Sequence, residues 1–317
     1  MEDEDDEYVT NLDISVKHLR TLHSLNIYTQ LIELDCGYNY IHKLPELPDT
    51  LRVLNCEMNH LVRLPKLPNL ITLICGANQI KRLPKLPETL KKLYCSSNLL
   101  NTLPRLPNLE ELSCSENMLV RLKVPYSMKK LYCCKNYINI LKLPTHLELL
   151  HCVDNVIETL ELNNDLMELE CSHNKLTYIS FNENIKWANI SCNRIKKIPR
   201  LPKSILTLNI RCTDVDECFH VSDQLNNIYS YGTPIYNKVQ SFLKTEDNVN
   251  AAFIIRYVFE QIKQIEYTFK YTYYCLSLKD RLVRWLWITR EKIAMEKYHP
   301  DKLVEILKNG YDALDDW

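Results

Sequence analysis

The sequence predicts a repeat solenoid with a parallel β-sheet on its concave face and a mostly extended convex side, followed by a small C-terminal α-helical domain. Three observations carry that expectation. Asparagines recur at Asn39, Asn59, Asn78, Asn98, Asn117, Asn136, Asn155, Asn174 and Asn193, in steps of 19 or 20 residues. A cysteine stands three residues before each of the first eight: Cys36, Cys56, Cys75, Cys95, Cys114, Cys133, Cys152 and Cys171. A Leu-Pro-x-Leu-Pro segment follows four of the early asparagines, at residues 44–48, 64–68, 83–87 and 103–107. A period this short marks a stack of single coils, each too small to bury a core alone.

The elements follow in chain order. Residues 1–7, Met-Glu-Asp-Glu-Asp-Asp-Glu, read as a disordered acidic tail, because like charges repel and solvate. Residues 8–30 supply Leu12, Ile14, Leu19, Leu22, Leu25 and Ile27 as an N-terminal cap for the first coil. From residue 31 to 215 about ten coils are expected. In each Leu-x-x-Leu-x-Cys stretch the second Leu and the Cys lie two apart, so they share one face of a strand. The Asn suits a tight turn, because its amide can bond nearby backbone and it tolerates left-handed geometry. Each Leu-Pro-x-Leu-Pro return should be extended, since proline lacks an N–H and restricts its predecessor. Ile190 replaces the cysteine in the ninth unit, and a tenth, degenerate unit runs through Ile205, Leu208, Ile210, Thr213 and Val215. Residues 216–234 read as an irregular connector. Over 235–317 the apolar period becomes helical, through Ala252, Ile255, Val258, Phe259, Ile262, Ile265 and Phe269 and again through Leu278, Leu282, Trp285 and Leu286.

Composition narrows the function classes. Net charge is −1, so bulk charge does not mark a polyanion binder. Four glycines are too few for a phosphate-cradling loop, and neither GxxxxGK[ST] nor GxGxxG occurs. No apolar run is long enough to span a membrane, and an acidic start is the opposite of a secretory leader. A reducing, cytoplasmic setting is therefore expected for the thirteen cysteines. In the ladder they read as small apolar core residues. Neighbouring coils would hold them at about the 4.8 Å strand spacing, wider than the roughly 3.8 Å between Cβ atoms that a disulfide takes. Cys212, Cys218 and His220 could supply three metal ligands, but no fourth is visible nearby. The reading assigns no metal, no cofactor and no catalytic residue.

The Leu-Pro-x-Leu-Pro units resemble the short "LPX" class of leucine-rich repeat used by bacterial type III effectors. The cysteine column and the stretch Arg290-Glu291-Lys292-Ile293-Ala294-Met295-Glu296-Lys297-Tyr298-His299-Pro300 are similar to leucine-rich-repeat proteins of amoebal giant viruses of the mimivirus type. The resemblance implies a non-enzymatic binding scaffold, of viral origin and working in the host cytoplasm. Some LPX effectors carry a cysteine-dependent ubiquitin ligase domain. Here the one cysteine of the helical region, Cys275, lacks the C-x-D motif of those ligases and has an apolar context.

Two surfaces are candidates. Residues between the inward-facing ones project from the concave sheet, and there Ile74, Tyr94, Tyr132, Leu149, His151, Val153 and Trp187 stand where a solvated sheet is normally polar. Exposed apolar patches and tyrosine or tryptophan anchors mark interfaces. The expected partner is a protein, a host protein if the chain is viral. An intramolecular contact, with a C-terminal helix over Trp187, is the plainer reading of the same residues. The second surface is a basic stripe of Lys43, Arg63, Lys66, Arg82, Lys85 and Arg105, four or seven residues past their asparagines. It could meet nucleic acid or anionic lipid, although such a stripe is more often a solvated face, here one that the acidic N-terminus could neutralise, and nucleic acid is the less favoured partner. A structural role in a particle is a third possibility.

Overall fold

A computed structural model describes residues 8–25, 27–67, 69–216 and 224–237. Its strands are β1 Asn11–Asp13, β2 Glu33–Asp35, β3 Val53–Asn55, β4 Thr72–Ile74, β5 Lys92–Tyr94, β6 Glu111–Ser113, β7 Arg121–Leu122, β8 Lys130–Tyr132, β9 Ile140–Leu141, β10 Leu149–His151, β11 Glu168–Glu170, β12 Trp187–Asn189, β13 Thr207–Asn209 and β14 Asn227–Tyr229. All but β7 and β9 form one 12-stranded sheet in chain order, and its neighbours are parallel throughout. The register is strict: Leu12, Leu34, Leu54, Leu73, Leu93, Leu112, Leu131, Leu150, Leu169, Ala188, Leu208 and Ile228 form one inward column.

The sheet is longer than the repeat pattern. β1 lies in the segment expected to be a cap, and β14 lies in the segment expected to be an irregular connector. Both ends therefore continue the stack with sequences that have lost the Cys–Asn signature. At the far end Thr213 and Thr233 take the asparagine position, and each hydroxyl donates to the carbonyl three residues back at 2.7 Å. A helical turn then opens at residues 234–237. Its first residue is Pro234, and the Tyr236 N–H donates to the Thr233 hydroxyl at 3.1 Å, an N-cap. The expected acidic tail, the remaining C-terminal helices, and Cys218, His220 and Cys275 lie outside the described residues.

The interior is a continuous column of leucine, isoleucine and cysteine. Cys36, Cys56, Cys75, Cys95, Cys114, Cys133 and Cys152 have 0% exposure, and Cys171 has 1%. Burial pushes the Cys36 and Cys75 thiols up to about 12, and the other six rise for the same reason. All are free thiols.

The asparagines bind one coil to the next. Asn117 shows the pattern: its Nδ2 donates to the carbonyls of Cys95, Cys114 and Ser115 at 3.0, 3.1 and 3.1 Å. Its Oδ1 accepts from the Leu100 N–H at 2.9 Å. Two of those partners belong to the preceding coil. The left-handed residue is the one before each asparagine. Tyr38, Met58, Ala77, Ser97, Glu116, Lys135, Asp154, His173 and Cys192 have φ between 48° and 55°. That reversal turns the following amide inward, beneath the turn, where it reaches both coils.

On the convex side the proline segments have no regular structure. The short pair β7–β9 forms where Lys123 and Lys142 stand in place of Pro104 in the coil before. The two prolines of each Leu-Pro-x-Leu-Pro return remove two donors per coil, so a second ladder does not propagate through the early coils.

Candidate binding surfaces

The strict register places every concave side chain. In the central column the order is Asp35, Asn55, Ile74, Tyr94, Ser113, Tyr132, His151, Glu170 and Asn189. In the column beside it Leu149, Glu168 and Trp187 are consecutive. The structure thus brings together Tyr132, Leu149, His151 and Val153 on β8, β10 and the turn that follows. It separates Tyr94 from Tyr132 by Ser113, two strand spacings or about 10 Å. Trp187 lies two strands from Leu149, across Glu168. All seven expected partner residues are half-buried.

The aromatic residues are tied into a polar network, which the sequence reading did not foresee. Tyr132 and His151 meet edge to face, with centroids 5.1 Å apart. His151 Nε2 lies 2.8 Å from Glu168 Oε1. Burial first, and then the neighbouring Glu111 carboxylate, push the Tyr94 phenol up to about 12. Tyr132 is raised by burial and by the charges of Glu111 and Glu168. Ser96 and Ser113 share a 2.8 Å hydroxyl bond, and Glu170 accepts from Asn189 at 2.8 Å and from the Ser172 hydroxyl at 2.7 Å. A sheet face wired this way holds its side chains in place before any partner arrives.

Beside this column runs a row of alternating charge. Lys91 and Lys129 both reach Glu110, at 3.0 and 3.2 Å, and Lys92 lies 4.0 Å from Glu111. The two lysines hold the Glu110 carboxyl below its ordinary range. Such exposed pairs set register more than they add stability.

The stripe residues Lys43, Arg63, Lys66, Arg82, Lys85 and Arg105 are all exposed. None is in an ion pair among the described residues. Next to them lies a feature that the sequence reading missed, a stack of His18, Tyr40 and His60 with His42 against its end. Aligning the residues just after each ladder asparagine would have found Tyr40 and His60 together. Among the described residues no three His, Cys, Asp or Glu side chains are grouped to hold a metal, and no helix is long and apolar enough to cross a membrane.

A parallel sheet of single coils joined by buried asparagines defines a leucine-rich-repeat solenoid, and the solved structures agree. The chain is similar to YopM from Yersinia enterocolitica WA-314, with 27% identity and a TM-score of 0.63 over 72% of this chain and 57% of that one. YopM of Yersinia pestis, described as a leucine-rich effector protein, is 27% identical with a TM-score of 0.60, over 68% of this chain and 69% of that one. The functional domain of InlJ from Listeria monocytogenes, which includes a cysteine ladder, is 27% identical with a TM-score of 0.64, over 71% of this chain and 54% of that one. The chain therefore spans little more than half the length of the first and third of these. No family model matches the chain, and no curated protein is significantly similar to it. A cysteine ladder in a bacterial protein also means that the cysteine column does not by itself point to a virus.

Proposed function

We propose that the chain is a non-enzymatic scaffold that binds a protein partner on the concave face, centred on Tyr132 and His151. The observation that carries this reading is the half-buried cluster of Tyr132, Leu149, His151 and Val153, already oriented by Glu168. Rigid aromatic anchors lose little entropy when a partner covers them. Trp187 and Tyr94 flank the centre at distances a single protein interface can span. The repeat class supports the reading, because solenoids present an extended concave surface. Action in the cytoplasm of a host cell belongs to the same proposal and rests on the free, buried ladder thiols.

Affinity purification with the intact chain tests it. Tyr132→Ala combined with Trp187→Ala should release the captured protein while leaving the circular dichroism spectrum unchanged. Lys85→Glu, outside the sheet, should retain it. Capture that survives the double substitution would remove the concave face from consideration.

A further inference from the structure

We propose that the flank of the early coils is a binding surface for single-stranded nucleic acid. Its two rows of cations grip the phosphates, and the ring stack at one end takes a base. This surface is separate from the concave face and does not depend on the reading above.

The first row is Lys43, Arg63 and Arg82, and the second is Lys66, Lys85 and Arg105. Successive coils stand about 4.8 Å apart, and three extended residues put the rows about 10 Å apart. The cations therefore tile a compact strip over which a flexible phosphodiester chain can run. Glu46 opens the second row as its acid and sits at the edge of the strip. Lys91, Lys92, Lys129 and Lys135 each meet a glutamate of the adjacent coil. The strip cations have no such partner among the described residues, and each is free to meet an outside anion.

The rings distinguish nucleic acid from other polyanions. His18 and Tyr40 are stacked with centroids 5.9 Å apart and planes at 17°, and Tyr40 and His60 repeat the arrangement at 5.9 Å and 27°. His42 lies 5.3 Å from His60. Tyr40 keeps 46% of its surface exposed. It stands three residues before Lys43, and both are exposed on the same coil. Aromatic platforms beside a basic track are how proteins hold single strands without reading their sequence. An acidic peptide or an anionic membrane would use the cations and leave the rings idle.

Fluorescence anisotropy of the full chain with a labelled oligothymidine of about 20 nucleotides tests the proposal. Binding should weaken by at least tenfold between about 50 and 200 mM salt. Arg63→Glu with Arg82→Glu should abolish it. Tyr40→Ala, and separately His60→Ala, should lower affinity about tenfold at every salt concentration without altering the salt slope. Heparin, a polyanion without bases, should be indifferent to Tyr40→Ala. Absence of oligonucleotide binding at low salt would overturn the proposal. So would oligonucleotide binding that ignores both ring substitutions, which would mark a plain polyanion surface. Binding confined to phosphatidylserine vesicles would assign the strip to a membrane instead.

Discussion

At the residue scale the asparagine ladder is the most demanding feature of the chain. Asn117 is 6% exposed, and it satisfies three carbonyls and one N–H, of which the carbonyls of Cys95 and Cys114 and the Leu100 N–H lie in buried bonds. Asn117→Ala would leave several buried groups unpaired, each costing roughly 1–3 kcal/mol. The expected loss is therefore about 3 kcal/mol or more, read as a drop in the urea midpoint. Asn117→Asp keeps one acceptor but loses the donors and adds a charge, so it should not rescue stability. The residue before each asparagine is under the opposite constraint. Glu116 and Asp154 hold φ of 55° and 53° with side chains outside the core. A β-branched residue there is disfavoured sterically. Asp154→Val should cost about 1–2 kcal/mol, while Asp154→Gly should be close to neutral. The same denaturation experiment checks both.

At the scale of the element, one strand of three residues has no independent existence. Leu112 is fully buried and lies between Leu93 and Leu131 in the register. Leu112→Ala should cost about 2–5 kcal/mol. In a one-dimensional array that loss weakens the two interfaces on either side more than distant ones. Hydrogen exchange should therefore speed up at β5, β6 and β8 before it does at β2 or β12. Uniform acceleration along the whole sheet would contradict the nearest-neighbour picture. The coils that can be placed this way are those whose sequence repeats visibly. The inward column could be read directly, because a 19- or 20-residue period and a strand alternation leave one consistent register. β1 and β14 could not be read in advance. They keep the inward Leu12 and Ile228 but lack the Cys–Asn pair that made the period visible. The concave candidates were legible as positions but not as a network: Glu111 under Tyr94 and Glu168 on His151 are cross-coil contacts between residues 17 apart. The ring stack was missed for a similar reason, since His18 precedes the first repeat that the pattern reveals.

At the scale of the whole molecule the cysteine column sets a limit on the pH at which the fold survives. Eight ladder thiols are buried, and all are held above their ordinary range by the cost of putting a thiolate in an apolar interior. In the unfolded chain the same thiols ionise near about 8.5. Below that pH both states are protonated, and the column contributes its full packing energy. Above it the unfolded state loses protons that the folded state keeps, so stability falls as pH rises. Each thiol contributes about 1.4 kcal/mol per pH unit to that slope until its folded-state value is reached. Eight acting together exceed the 5–15 kcal/mol by which a domain of ordinary stability is folded, within about one to two pH units. The chain should therefore unfold cooperatively on the alkaline side, between about pH 9 and 11, well below the about 12 to which burial pushes Cys36 and Cys75. A circular dichroism titration under reducing conditions measures the midpoint. Replacing four central cysteines, Cys75, Cys95, Cys114 and Cys133, by valine keeps an apolar column and removes half of the eight titrating groups. The alkaline slope should fall by about half, while stability near neutral pH changes through packing alone. An unchanged alkaline midpoint in that variant would mean that the ladder thiols are not what limits the fold at high pH.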